Sequence, residues 1–511
     1  MRTIAMYLPQ FHRVKENDEW WGEGFTEWTA VKQAEKLYCN HRQPRKPLND
    51  NYYNLLDVNT LKWQAELAED YLIDGFCFYH YYFKDGRKIL EKPAELLLQH
   101  PEIRMKFCFC WANEAWITSW SKLTGKGNCW TLLQEGDIQS KSEDGVLLAQ
   151  EYGEEETWKE HFMYLLPFFN DIRYLRKDGK PIFVIYKPDD MDCFSDMIEY
   201  WQKLAMENGL KGLFIIARNL SGPLRGADAT LFTGPGKYCD TWSMRCANYN
   251  DTGDVYDYYA TWYNALKLAP TENVKTYFGA FVDYDDSPRR GKCGWRFEGV
   301  SLEIFKEMFL KLGLKNLRHG NDLMFINAWN EWGEGMYLEP DEENGYGYLE
   351  AIREDIQILN EANYIDSRDL YVMNEIDHHV NNIEENITFR MYKSYYHLLN
   401  NWMNLCEANN SICNYFIQNK YTRITIYGLG VIGQRLLNEL SQCKDLEIVD
   451  VIDKKNQKYL GDRESKQLGD AIMPSDVIVV TPIYDYERIK ADLLYYYGAD
   501  FNIISLGQVF E

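Results

Sequence analysis

Two glutamates three residues apart, Glu331 and Glu334, sit in the segment NAWNEWGEG with Trp332 and Gly333 between them and Gly335 after. Glycine lets a backbone turn sharply and approach a ligand closely. Two carboxylates on such a turn can flank one glycosidic bond, one protonated and one ionised, because like charges in a low-dielectric pocket push their pKa values apart. A separation of roughly 5–5.5 Å would suit retention of configuration and roughly 6.5–9.5 Å inversion. An isolated E-x-x-E is ordinarily a pair of surface ion-pair partners. Position and company argue otherwise here, and both depend on the elements that carry the pair.

Those elements alternate. Eight short apolar runs occur at residues 3–8, 75–82, 106–111, 181–186, 212–218, 229–234, 276–282 and 322–329. Several are apolar at nearly every position, as strands covered on both faces are. Between them, residues 58–73, 192–208, 254–268 and 299–313 place apolar side chains at helical spacing. The rhythm predicts an α/β fold, a (β/α)8 TIM-type barrel over residues 1–365. An open, doubly wound sheet is the alternative. A helical connector is expected at 366–420, and a small Rossmann-like α/β domain at 421–511.

A barrel enzyme keeps its site where the strands end. The residues found there are Tyr7, Gln10 and His12; Tyr79, His80 and Tyr81; Trp111, Asn113, Glu114 and Trp116; Tyr186 and Lys187; Arg218; Asp283, Tyr284 and Asp285; then Asn330, Glu331, Trp332 and Glu334. Aromatic rings offer a flat apolar face to the C–H face of a sugar. The expected substrate-binding set around the catalytic pair is drawn from these side chains. Glu114 could instead pair with Arg218 or Lys187.

Composition narrows the partners. The formal net charge of −23 over 511 residues opposes a nucleic acid, whose backbone needs a basic face, and an electrostatic hold on an anionic membrane. No stretch is long and apolar enough to predict a membrane span. The N-terminus lacks the apolar region of an export signal. The 12 cysteines are scattered without zinc-type spacing. Reduced, mostly buried thiols in a cytoplasmic protein are the expectation, with no metal. The pair His378–His379 lacks acidic or Cys partners at ligand spacing, and a solvated helical pair is the simpler reading.

The segments MYLPQFH, ENDEWWGEGFTEW, DGFCFYHYYF, CWANEAW, DGKPIFVIYKP, DSPRR and NAWNEWGEG occur in this order. Together they resemble the WbsX-type proteins, barrel proteins described as glycosyltransferases or lipopolysaccharide biosynthesis proteins. The resemblance covers roughly residues 1–360. The E-W-x-E-G segment is in turn similar to glycoside hydrolase family 99, the endo-α-mannosidases and endo-α-mannanases. That likeness implies Glu334 as general acid/base. It implies Glu331 as the base that deprotonates the sugar 2-hydroxyl, which then attacks its own anomeric carbon through a 1,2-anhydro sugar with net retention.

A second motif lies near the C-terminus. Gly428, Gly430 and Gly433 form G-x-G-x-x-G between a strand and a helix, and Asp453 follows at the end of the next strand. This is a dinucleotide-binding arrangement, with the acid placed for a ribose hydroxyl. It raises a nucleotide or nucleotide-sugar as a ligand, although the domain is about half the size of a full dinucleotide fold. The expected function is a retaining glycoside hydrolase on an α-mannose-like oligosaccharide or polysaccharide, with no cofactor at the barrel. A glycosyltransferase of surface polysaccharide synthesis and a non-catalytic glycan-binding protein are the alternatives.

Overall fold

The computed structural model describes residues 1–38, 41–117, 146–220, 222–240, 243–246 and 253–362. Further on it describes 395, 398–399, 401–405, 410–453, 458–461, 463–483, 486–498 and 501–510. The chain divides into two compact units, Met1–Ile376 and Asp377–Glu511. His378, His379 and residues 366–394 lie outside the described residues.

In the first unit eight parallel strands close on themselves. They are β1 (Arg2–Tyr7), β2 (Gly75–Tyr82), β3 (Phe107–Trp111), β4 (Lys180–Ile185), β5 (Phe214–Arg218), β6 (Ala229–Phe232), β7 and β8 (Leu323–Asn327). β7 comes in two pieces, Thr276–Phe278 and Ala280–Phe281, either side of Gly279. The first piece pairs with β6 and the second with β8. β8 pairs with β1, Ile4 lying opposite Phe325, and the ring is complete. The open-sheet alternative is thereby excluded. Gly279 is needed at the break, because a Cβ there would lie 2.9 Å from the Thr233 hydroxyl oxygen and 3.2 Å from the Phe325 carbonyl.

The strands form because they are apolar on both faces. Phe107, Cys108, Phe109, Cys110 and Trp111 are all buried, one face toward the barrel interior and the other toward helices. Those helices include Val58–Asp70, Phe194–Glu207, Tyr258–Lys267 and Leu302–Arg318. Side-chain caps set three of their starts. Asp57 accepts from the Asn59 N–H, Asp257 from Ala260 and Ser301 from Ile304, each cap contributing about 1 kcal/mol. Among the described residues no helix joins β5 to β6. Asn219 turns there with φ +55°, and its side-chain amide accepts from the Thr233 N–H at 3.0 Å.

The second unit holds a parallel sheet of β9 (Arg423–Tyr427), β10 (Glu447–Ile452), β11 (Val477–Val480) and β12 (Ile503–Ser505), in the order β10-β9-β11-β12. Helices Val431–Leu440 and Tyr486–Tyr497 accompany it. Gly428 has φ +91°. A Cβ on Gly433 would lie 1.9 Å from the Gly428 carbonyl, so helix and loop approach as closely as the glycine motif requires.

Candidate active site

β8 ends in a tight hairpin. Asn330–Glu331 pairs antiparallel with Met336–Tyr337, and the turn Trp332–Glu334 closes on Gly335 at φ +61°. The turn holds Glu331 almost fully buried and leaves the Glu334 side chain 19% exposed.

Two long connections converge on this hairpin. The one after β1 carries a helix, Glu27–Gln33, whose start is a reciprocal cap between Thr26 and Thr29. It delivers Glu27, His41, Gln43 and Arg45. The one after β7 delivers Asp283, Asp285, Asp286 and Arg289. Arg289 is the junction: Nε donates to Glu27 at 2.9 Å, Nη2 lies 2.7 Å from the same carboxylate, and Nη1 meets Glu334 at 2.5 Å. Gly333 makes room for this arrangement. A Cβ there would sit 1.8 Å from the Glu27 carboxylate and 2.9 Å from Arg289 Nε.

Glu331 is hydrogen-bonded to Tyr79. Burial and then the charge of Glu334 push its carboxyl well above the usual range, against the opposing pull of Arg289. Burial thus favours the protonated form of Glu331, while Glu334 is held by Arg289.

Around the pair, β2 contributes Tyr79 and Tyr81. The electrostatic reach of Glu331 extends to both rings. Tyr79 packs edge-on against Tyr186 at 5.9 Å, and the Arg218 guanidinium lies over Tyr186, 3.9 Å from the ring centre. Glu114 stands 4.0 Å from Lys187, both side chains roughly half exposed at 47% and 44%. Burial in the walled mouth raises the Glu114 carboxyl, with Lys187 and Arg218 pulling the other way. Tyr81 also meets Trp116, which meets the half-buried Trp20.

Other expected substrate contacts serve the fold instead. Side chains alternate along a strand, so His80 and its register partner Trp111 turn away from Tyr79. His80 hydrogen-bonds His161 on the outer helix Glu155–Asn170 at 2.8 Å. Burial and Lys88 hold its imidazole down to about 3. The Trp111 indole N–H donates to the Tyr82 carbonyl. Asn113 exchanges two hydrogen bonds with the Lys187 backbone, and Asn330 does the same with Leu8. The Tyr7 hydroxyl donates to Gln64 at 2.6 Å. Trp332 stacks on Tyr337 at 3.7 Å and donates to Glu339 at 2.7 Å.

Asp285 is also internal. Its carboxylate accepts from Gln43 and is bonded to His41, both at 3.0 Å, and its own N–H donates to the Glu334 carbonyl at 2.7 Å. Burial opposes its charge, yet His41 and Arg45 hold its carboxyl well below the usual range. It fixes the backbone under Glu334. Gln10 and His12 are buried after β1, the Gln10 carbonyl accepting from the Glu27 N–H at 3.1 Å. Burial, with Lys92 adding to it, holds His12 down to about 4. No described contact joins these two side chains to the glutamate pair.

Glu27 and Arg289 are not among the candidate residues read from the strand ends, whereas Tyr81 is. Glu27 and Arg289 lie inside the segments FTEW and DSPRR, so the motif match held a signal for them. Tyr81 follows from strand alternation once Tyr79 is placed. Among the described residues no group of three or more His, Cys, Asp or Glu could hold a metal ion, and no helix is long and apolar enough to cross a membrane.

In the second unit Asp453 accepts a 2.6 Å hydrogen bond from the Leu429 N–H. That carboxylate oxygen thus braces the glycine turn from within. Thr481 does so too, donating to the Gly428 carbonyl at 2.8 Å.

A closed β/α barrel carries two glutamates at the end of its last strand, walled by tyrosines, as the resemblance to the WbsX-type proteins implied. The family comparison agrees: the model described as Glycosyltransferase WbsX matches residues 3–352, and the chain belongs to that family. It is 30% identical over 361 residues to the uncharacterized protein WxcX of Xanthomonas campestris pv. campestris strain B100, covering 69% of this chain and 49% of that protein. WxcX of strain ATCC 33913 matches to the same extent. The chain spans about half the length of the curated relatives it matches. Among solved structures, a family 99 endo-α-mannosidase from Bacteroides thetaiotaomicron aligns with TM-score 0.44 at 15% identity, over 71% of this chain and 98% of that one. A glycoside hydrolase-like protein aligns with TM-score 0.43 at 15% identity, over 69% and 93%.

Proposed function

We propose that the barrel is a retaining glycoside hydrolase acting on an α-mannose-like glycan through Glu331 and Glu334. The observation that carries this reading is the pair itself: two carboxylates at the end of β8, one buried and hydrogen-bonded to Tyr79, the other ion-paired to Arg289. Bond cleavage on the 2-hydroxyl route requires the proton on Glu334 and a charged Glu331. In the resting contacts Arg289 holds Glu334, and burial favours the neutral form of Glu331. Substrate binding therefore has to draw Arg289 off Glu334 and let the proton move between the carboxyls. Glu334 then protonates the departing oxygen. Glu331 takes the proton of the sugar 2-hydroxyl, whose oxygen attacks the anomeric carbon, and water opens the anhydro ring.

The test is release of sugar from α-mannooligosaccharides by the full chain and by Glu331→Gln and Glu334→Gln. Each variant is expected to lose roughly 10³-fold in kcat while still binding the oligosaccharide. Full activity in Glu334→Gln would remove the assignment.

The second reading is a glycosyltransferase of surface-polysaccharide synthesis. The formed glycine turn of the second unit favours it, with Gly428 at φ +91° and Gly430 open to solvent on its Cβ side. Binding of UDP- or GDP-sugars with dependence of product formation on them would support that reading over the first.

A further inference from the structure

Several cations stand at the mouth of the barrel beside its carboxylates, and most of them have a counter-ion. Arg289 is shared by Glu27 and Glu334. Arg290 meets Asp286 at 3.1 Å. Lys187 faces Glu114 at 4.0 Å. Arg218 differs. Among the described residues it has no hydrogen bond and no ion pair, and the Tyr186 ring beneath it is its one close partner. It is the last residue of β5, half-buried, and lies within electrostatic reach of Tyr79, Cys110 and Glu114.

The guanidinium lies over the ring, and among the described residues none of its N–H groups is hydrogen-bonded. A guanidinium offers five donors in a rigid fork that matches a carboxylate or phosphate two bonds at a time. A cation partly withdrawn from water and without a close ion-pair partner is costly. A neutral hydroxyl would satisfy its donors but not its charge. Glu114 is turned toward Lys187. With a formal net charge of −23 the chain as a whole repels anions, so an anionic substrate needs such a local cation.

We propose that Arg218, stacked on Tyr186, is a subsite for an anionic substituent of the glycan, a carboxylate or a phosphate on the sugar. This rests on the reading of the mouth as the glycan site and adds the substrate class to it. Acidic sugars then enter with the charged group toward β5 and the scissile bond toward β8.

Calorimetric titration of the full chain with methyl α-mannoside, D-glucuronate and mannose 6-phosphate tests the proposal. One of the two anionic sugars is expected to bind at least about tenfold more tightly than the neutral one. Which of them does so tells carboxylate from phosphate. In Arg218→Gln the anionic-to-neutral affinity ratio is expected to fall to about one. Arg218→Lys keeps the charge without the fork and should retain an intermediate ratio, which also guards against misfolding of the first variant. Equal affinity for all three sugars in the unaltered chain, equal weakening of all three in Arg218→Gln, or no binding of any overturns the proposal. Arg218-dependent anion binding without cleavage of any glycan would leave the subsite standing and remove the hydrolase reading. Glu334-dependent cleavage of neutral glycans with no anion preference would do the opposite.

Discussion

Arg289 holds two carboxylates with one guanidinium, and the second of them, Glu27, never needs to touch substrate. It fixes where the guanidinium stands. Glu27→Gln keeps the shape and removes the charge, so Arg289 should swing toward Glu334 and hold it more tightly. The expected result is a fall of about a hundredfold in kcat, the order that a small misplacement near the reacting atoms costs, with KM little changed. A stability loss of about 2 kcal/mol should accompany it, because the guanidinium loses one of its two charged hydrogen-bond partners. Gly333→Ala tests the same contact from the other side, since its Cβ would enter the Glu27 carboxylate. Overpacking of this kind costs about 1–3 kcal/mol, and thermal melting together with steady-state kinetics reads both variants. The sequence placed the glutamate pair because spacing and strand end are local properties. It could not show that Asn330, Trp332 and Tyr7 face inward, because polarity at a strand end does not say whether a partner is water, substrate or a neighbouring loop. Gln64 and Glu339 take up Tyr7 and Trp332 from 57 and 7 residues away. No reading of a single segment contains such a partner.

Strands were the most legible elements, since a run that is apolar on both faces has few other uses, and all eight expected runs became barrel strands. The break in β7 at Gly279 and the helix-free turn from β5 to β6 were not legible. Both depend on what the neighbouring strand presents, Thr233 in each case. The helix Gly347–Ala362 carries a further consequence. Asp355 is buried on it, and neither carboxylate oxygen has a hydrogen-bond partner among the described residues. Burial pushes its carboxyl up from 3.8 to about 7, opposed by Lys306 and assisted by Glu354. Between those values the folded chain holds a proton that the unfolded chain has lost, so stability falls as pH rises through that window. Asp355→Asn removes this slope. Its melting temperature should exceed that of the unaltered chain by about 2–4 °C at pH 8 and equal it near pH 4. A gain that is the same at both pH values would show that packing, rather than charge, sets the cost.

At the scale of the whole chain, the two proposed chemistries assign different work to the two units. A transferase needs a nucleotide sugar, and the glycine turn of the second unit is the place that would hold one. A hydrolase needs water and the barrel. The second unit has a glycine turn with the right backbone, yet Asp453 and Thr481 already brace it through hydrogen bonds to Leu429 and Gly428, so part of the expected ribose-binding chemistry is engaged within the fold. The barrel, by contrast, presents a buried Glu331, an ion-paired Glu334 and an Arg218 that makes no ion pair among the described residues. The full chain is therefore expected to cleave its glycan with no nucleotide added and to place oxygen from ¹⁸O-labelled water on the anomeric carbon of the released sugar. Proton NMR taken early in the reaction should show that sugar first as the α-anomer, because two inversions at one carbon restore the starting configuration. Product that carries no ¹⁸O and forms only when a UDP- or GDP-sugar is supplied would transfer the reaction to the second reading, with the glutamate pair activating an acceptor hydroxyl in place of water.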